Sequence, residues 1–297
     1  MILVAGGTGH LGGPLIELLA ARGGRIRVLS RDPSGARAHV PAGVELVTGD
    51  VRVASSLDPT LVDVQTVISA VTGFGPGGGG PRQVDMQGNQ NLITAALAAG
   101  VEHFILVSVH GASDKHSMEL YRAKFTAEEL LRESNLAWTI IRPTVFMELW
   151  AGLVGDSLIK GGAATVFGHG RNPINFVSVR DVARFIELSV ADRRLRNKTL
   201  DVGGPENLTL NTVVEVIAAS HGLQPNARHV PLTALRLAEV VLRPFRPDLA
   251  NLIQASIQMA TSDMSFDRAM LTATYPLIRP TGLSDVVRPQ HGAAVTS

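Results

Sequence analysis

There is no cysteine in this chain. That absence excludes disulfides, thiolate metal sites and cysteine nucleophiles, and it fits a reducing interior. No apolar run reaches the ~18 residues of a membrane span. No pair of histidines has the H-x-x-x-H spacing of metal ligands, so no metal is expected. Neither sign of charge is in excess: 27 basic against 26 acidic residues leave a net +1. Nothing in that balance asks for nucleic acid or an acidic membrane. No internal repeat is visible. The first residues already read as a core strand, which leaves no room for a signal peptide, and a cytoplasmic location is expected. What is present is a globular balance, 45% hydrophobic and 18% charged over 297 residues. That suits one large α/β domain, alone or with a smaller lobe.

The chain opens on Ile2-Leu3-Val4-Ala5, a buried strand, and runs straight into Gly6-Gly7-Thr8-Gly9-His10-Leu11-Gly12. Glycines at 6, 9 and 12 form a G-x-x-G-x-x-G turn leading into a helix. Gly6 permits the tight turn, Gly9 lets backbone approach a pyrophosphate, and Gly12 lets the helix pack on the strand. The helix N-terminus offers free N–H groups and a positive dipole end to the anion.

Strand and helix patterns then alternate. Helix 11–22 carries Leu11, Leu15, Leu18 and Leu19 and stops at Gly23-Gly24. Strands follow at 25–29, 44–47, 66–71, 103–108 and 138–141, with helices around 84–99 and 117–133 between them. This specifies an α/β fold, a doubly wound parallel sheet of Rossmann type, with ligands at the C-terminal edge of the strands. After Arg142-Pro143 the rhythm becomes irregular. We expect a nucleotide-binding domain of residues 1–144 plus about 174–202, and a small C-terminal α/β substrate lobe of 145–173 and 203–297. Thr199-Leu200-Asp201-Val202 rejoins the main sheet, and Asp181 caps a helix over 181–191. The glycine-rich stretch 73–81 is a flexible connector or a mobile flap over the ligand edge.

The tip of the second strand reads Leu29-Ser30-Arg31-Asp32. An acid there would accept from the ribose 2′-OH of NAD and repel a 2′-phosphate. Ser30 stands in its place and Arg31 follows, with Arg37 further on, so NADP(H) is preferred over NAD(H). Asp50, with Val51 beside it, reaches the adenine side, and Ala70 and Val71 end the fourth strand.

Beside this frame the chain resembles the short-chain dehydrogenase/reductase superfamily in its extended, atypical branch, and within it the NmrA-like proteins and relatives of the complex I 39 kDa subunit. The resemblance spans nearly the whole chain. It is carried by the glycine loop, Ser30-Arg31-Asp32-Pro33, Thr48-Gly49-Asp50, the segment Val84-Asp85-Met86-Gln87-Gly88-Asn89, Lys124, and Ile141-Arg142-Pro143-Thr144. Phe176-Val177-Ser178-Val179-Arg180-Asp181 and Gly203-Gly204-Pro205-Glu206 match as well. It implies that Thr8, Gly9, His10 and Leu11 touch the cofactor, that Pro143, Thr144 and Val145 run beside the nicotinamide, and that Lys124 binds the nicotinamide ribose. The alternative for Lys124 is a helix lysine paired with Glu128. The family lysine also lowers the pKa of a tyrosine four residues earlier.

Here Leu120 holds that position and Tyr121 stands three before the lysine. Helix geometry turns Tyr121 by ~100° and moves it ~1.5 Å from the family place. Ser108 lies where the superfamily polarises its substrate, Val109 replaces the more usual hydroxyl, and His110 is a further proton donor. Phe74, Phe146, Met147, Glu148 and Trp150 are placed at the substrate pocket.

The reading is an NADPH-dependent oxidoreductase passing hydride to a small apolar or aromatic carbonyl or quinone-type acceptor. The absent Tyr-x-x-x-Lys supports an alternative, an NADP(H)-binding redox sensor or assembly factor without turnover. A nucleotide-sugar epimerase or dehydratase is a weaker third reading, disfavoured by Arg31. A monomer or homodimer with a small-molecule substrate is expected. The sticky stretch Leu235–Leu242 is partner surface in the sensor reading and lobe core otherwise.

Overall fold

A computed structural model describes residues 1–75 and 77–288 of the chain. The first half alternates β1 (Ile2–Ala5), α1 (Gly12–Ala21), β2 (Ile26–Ser30), the single turn α2 (Pro33–Ala36), β3 (Glu45–Thr48) and β4 (Thr66–Ser69). A π-helical segment, Arg82–Gly88, then runs into α3 (Asn89–Ala98). It is followed by β5 (His103–Val107), α4 (Glu119–Glu133) and β6 (Ala137–Pro143). Next come β7 (Val145–Phe146), α5 (Met147–Gly161), β8 (Ala164–Phe167), β9 (Ile174–Val177), α6 (Val179–Ala191) and β10 (Lys198–Val202). Seven of these strands form one parallel sheet in the order β3-β2-β1-β4-β5-β6-β10. The order reverses direction between β1 and β4, which is the ligand switch point of such sheets.

Alternation along each strand explains the layers. Val4, Val28, Ile68, Ile105 and Ile141 pack with Leu15, Ile16 and Leu19 of α1 and Phe185 and Ile186 of α6. Their neighbours Leu3, Ala5, Val67, Phe104, Leu106 and Ile140 face Leu92 of α3 and Ala127 and Leu131 of α4. Both faces are covered, so the sheet core is apolar on both sides.

The lobe adds β11 (Asn207–Leu208), α7 (Leu210–Ser220), β12 (Ala227–Val230), α8 (Leu232–Leu242), α9 (Pro247–Thr261), α10 (Ala269–Thr274) and α11 (Leu283–Val287). It holds a three-stranded sheet β11-β9-β7 and a two-stranded sheet β12-β8 around its own core of Trp150, Val166, Phe176 and Ile217.

Three boundaries differ from expectation. β9, expected in the nucleotide domain, pairs with β7 and β11, and its Ile174 and Phe176 enter the lobe core. Leu271, Tyr275 and Ile278 return to the α1/α6 side of the main sheet, so 203–297 is not wholly lobe. Residues 289–297 of that expectation, and Pro76 of the glycine-rich stretch, lie outside the described residues. The cap of α6 is Ser178, whose hydroxyl accepts from Arg180 N, whereas Asp181 accepts from Thr281 N and Oγ1. Among the described residues no helix is long and apolar enough to cross a membrane.

One buried group gives the fold a pH dependence. His103 on β5 is 1% exposed and its Nε2 meets Thr139 Oγ1 at 2.9 Å. Burial lowers its pKa from 6.5 to about 4, with the Arg196 charge adding to the effect. The depressed native value means that its contribution is intact above 6.5. Below that pH the unfolded chain takes up a proton that the native state refuses until about pH 4. Stability should therefore fall across this window by up to about 3 kcal/mol. Denaturant melts of the wild type and His103→Gln between these pH values check this, with the slope expected to flatten in the variant.

Candidate cofactor and substrate cleft

The Gly6–Gly12 loop at the end of β1 and Ala70-Val71-Thr72 at the end of β4 stand side by side at the switch point. Two half-clefts of about 480 Å³ each open on either side and share Gly6, Gly9, Ala70, Val71 and Thr72 as a common wall. The loop glycines are required by space. Gly6 has φ +88°, and a Cβ there would lie 2.5 Å from Ala70 O. A Cβ on Gly12 would lie 2.3 Å from Gly7 O, and one on Gly7 would meet Ile16 and Val28 at 2.8 Å. Helix α1 begins with no side-chain cap on its Leu11 N-cap and no acid in its first turn. Gly13 N donates to Gly9 O and Pro14 has no N–H, so in the first turn the N–H of Gly12 and the positive dipole end are left for an anion. A loop with no room for a Cβ at Gly6, Gly7 or Gly12 that ends on an uncapped helix fits a dinucleotide pyrophosphate.

The first half-cleft is the more polar of the two. Thr8, Ser30, Arg31, Asp32, Asp50, Val51 and Arg52 line it, with His39 and Gly78 at its rim. Ser30 Oγ accepts from Asp32 N, and Asp32 Oδ1 accepts from Gly35 N and Ser34 Oγ, so this carboxylate is spent on α2. The Arg52 guanidinium grips Asp50 and holds its carboxyl below the usual range against the opposing effect of burial. Arg31 is exposed and has no salt-bridge partner among the described residues. Arg37, expected here, is absent from the lining. Its guanidinium donates to the carbonyls of Val40, Pro41 and Val44 and ties down the turn before β3.

The second half-cleft is mostly apolar. His10, Leu11, Phe74, Ser108, Val109, Tyr121, Lys124, Pro143, Thr144 and Val145 line it, together with Met118, Leu120 and the lobe residues Leu252, Gln258, Met259 and Met264. Phe146, the N-cap of α5, and Leu149, Trp150 and Leu153 within it add to the lining. Their spacing is i, i+3, i+4, i+7, one helical face. Met147 and Glu148, expected here, point elsewhere. Met147 is 2% exposed in the lobe core, and Glu148 accepts from Ser178 Oγ and Val179 N at the start of α6.

Lys124 and Ser108 of this half are already engaged. Lys124 is buried, and its Nζ meets Val71 O at 2.9 Å, Val107 O at 2.9 Å and Asp85 Oδ1 at 3.0 Å. The two carbonyls accept hydrogen bonds from the ammonium, while Asp85 Oδ1 faces it as counter-charge and accepts no hydrogen bond. Its partner is Asp85 of the π-helical segment, not Glu128. Asp85 Oδ2 also accepts from Gly73 N at 2.7 Å. The π-turn thus places a carboxylate between the lysine and the base of the glycine-rich loop, whose Gly80 N closes back on Gly73 O. Ser108 Oγ donates to Glu128, a fully buried carboxylate also gripped by Arg142 and Arg132.

Tyr121 stacks flat on His116 with ring centroids 3.8 Å apart. His116 Nδ1 accepts from Met118 N, its Nε2 contacts the Gln258 amide at 3.1 Å, and burial lowers its pKa. The stacked ring is therefore neutral at pH 7. With no cation to offset it, burial pushes the Tyr121 phenol up to about 12. The phenol stays a proton donor across the neutral range and does not become a base. His110 does not line the cleft. Its Nδ1 meets Asp201 Oδ1 at 2.8 Å and its ring meets the Phe266 ring in a T-shaped contact.

Sequence reasoning missed Gly7, Arg52, Asp85, Leu149 and Leu153 as well as the α9 residues. Arg52 stands two after Asp50, and Leu149 and Leu153 continue a helical phase from Phe146, so these left a readable signal. Among the described residues no three His, Cys, Asp or Glu side chains gather into a metal site.

Residues 6–193 match the NAD(P)H-binding family. The chain belongs to that family. It is 30% identical to the NAD(P)H azoreductase of Xenophilus azovorans over 78% of this chain and 77% of that protein. It is 28% identical to the photosystem II assembly factor Ycf39 of Synechocystis sp., covering 92% of this chain and 82% of that protein. In fold it is similar to an NADPH-dependent quinone oxidoreductase of Escherichia coli, with TM-score 0.78, 21% identity, and 97% and 98% of the two chains covered. Its neighbours fall in the atypical short-chain dehydrogenase/reductase, NmrA-like group that the sequence resembles. The family implies bound NAD(P)H, and the glycine loop and open helix end fit it.

Proposed function

We propose that the chain is an NADPH-dependent oxidoreductase that passes hydride to a small apolar or aromatic acceptor of quinone, azo or enone type. The observation that carries this is the apolar second half-cleft, which shares the glycine-loop wall with the more polar first half. In this reading the loop and the α1 N-terminus hold the pyrophosphate, Ser30 and Arg31 take the 2′-phosphate, and Asp50 and Val51 lie by the adenine. Pro143, Thr144 and Val145 flank the nicotinamide, which supplies hydride when reduced. Trp150, Phe146, Leu149 and Met259 exclude water and orient a flat acceptor. Arg31 is the cation left for the phosphate, since Arg52 is bound to Asp50. NADPH is expected to bind more tightly than NADH, and Arg31→Ala to narrow that difference by ~10–100-fold, the weight of a charge-assisted hydrogen bond. Fluorescence titration with both cofactors checks this.

The engaged state of Lys124 and Ser108 suits acceptors that need little acid catalysis. Tyr121 is the remaining donor, held protonated by burial. Tyr121→Phe is expected to lower kcat by less than ~10-fold, and the wild-type pH profile to show no tyrosine ionisation near neutrality; an essential general acid would cost ~100–10,000-fold.

NADPH consumption across a panel of quinones, azo-arenes and enones tests the proposal. Turnover of at least one class supports it. Cofactor binding with no turnover across the panel overturns it, and favours the sensor or assembly-factor reading. That reading draws on the same spent polar groups and on the likeness to Ycf39.

A further inference from the structure

The chain-wide charge balance conceals a local one. Between Gly222 and Pro247 there are four arginines, Arg228, Arg236, Arg243 and Arg246, against one acid, Glu239, a net +3 in a chain of net +1. All four arginines are exposed. Arg243 pairs with Glu239 and Arg246 with Asp248, whereas Arg228 and Arg236 have no salt-bridge partner among the described residues. The same stretch carries an outward apolar stripe. Leu237, Val240, Val241 and Phe245 are 67%, 70%, 56% and 80% exposed. In α8 the first three are spaced i, i+3, i+4, one helical face, opposite the buried Leu235. An isolated exposed leucine needs no explanation, but four large apolar side chains within nine residues make a patch.

Helix α8 packs along α9, and α9 turns Leu252, Ala255 and Met259 into the apolar half-cleft. The hairpin therefore has an apolar outer face beside arginines and an inner face on the cleft. We propose that α8 and the turn to Phe245 are a docking surface for an anionic lipid membrane. The stripe enters the acyl boundary while Arg236 and Arg228 meet the lipid phosphates. This is the composition of a helix that lies in a membrane interface, apolar on one side and arginine-flanked. The partner is an anionic lipid surface because the exposed stripe is wholly apolar and the exposed arginines beside it in sequence, Arg228 and Arg236, have no acidic partner among the described residues. The surface does not depend on turnover in the cleft.

The test is flotation of the full chain with vesicles of phosphatidylcholine alone and of phosphatidylcholine with phosphatidylglycerol, at low and high salt. The wild type is expected to float with the anionic vesicles and to be released by salt. Val240→Ser with Phe245→Ser should lower that partitioning by ~10-fold or more, and Arg236→Gln by ~5-fold. Leu237→Gln supplies an independent loss should the double variant fold poorly, and NADPH affinity is expected to be unchanged in every variant. Failure to float with anionic vesicles overturns the proposal, as does equal flotation of the stripe variants. It is also overturned if sedimentation shows a wild-type dimer that the stripe variants split, since a second copy then covers the patch.

Discussion

Asp85→Asn is expected to lower the stability of the fold by about 3–5 kcal/mol, the cost of stranding one partner of a buried ion pair. Asp85 is fully buried and Lys124 is 4% exposed, so neither charge has water to turn to. With Asp85 neutralised, the ammonium keeps two carbonyls but no counter-charge. The melting midpoint should fall by roughly 6–12 °C on the usual scale for a chain of this size class. Lys124→Met should be comparably costly, because it leaves the Asp85 carboxylate buried with Gly73 N–H alone. The double variant Asp85→Asn/Lys124→Met carries no stranded charge, and it should be less destabilised than the two single losses added together. Simple additivity in urea melts would contradict the pairing. NADPH affinity should fall in both single variants, since Lys124 holds Val71 O and Asp85 holds Gly73 N, and Val71 lies in the wall shared by both half-clefts.

Gly12→Val is expected to weaken NADPH binding by roughly 100-fold, because its side chain forces the loop and the first turn of α1 apart. A Cβ at Gly12 would lie 2.3 Å from Gly7 O and 2.4 Å from Gly6 O, all backbone that cannot swing aside. The adjacent glycine is the control. A Cβ on Gly13 has nothing within 4 Å. Gly13→Ala should bind NADPH normally and gain up to about 1 kcal/mol of helix stability. Neighbouring glycines with opposite outcomes separate a cradle that needs space from a helix that needs glycine removed. Equal losses at both positions would contradict this account of the loop.

The main sheet was legible because its strands are short apolar runs between glycine stops, and the glycine loop declares its place at the end of β1. Lys124 was legible as a residue of the cleft but not in its bonding. Its partner Asp85 is delivered by a π-helical turn, which leaves no hydrophobic period to read. Glu128 was a reasonable partner by i, i+4 spacing, but Arg142, Arg132 and Ser108 claim it from three other directions. Consecutive residues Phe146 to Glu148 were placed at the pocket because they follow the strand end. The helix phase keeps Phe146 and Trp150 of the expected set and brings in Leu149 and Leu153 in place of Met147 and Glu148. The α9 wall was not legible at all, since Gln258 and Met259 reach the cleft only through the tertiary packing of a hairpin more than 100 residues from Lys124. The stretch from Leu235 to Leu242 divides between both expectations: Leu235 is core, and Leu237, Val240 and Val241 face outward.

The central claim is that the apolar half-cleft brings reduced nicotinamide together with an apolar acceptor. Its most direct test is a single-turnover experiment under anaerobic conditions, in which the chain is loaded with NADPH, freed of excess cofactor and mixed with a naphthoquinone. Acceptor-dependent loss of the bound nicotinamide signal is expected, slowed when Trp150→Ala opens the cleft wall. Bound NADPH that stays reduced with quinone, azo-arene and enone alike would contradict it.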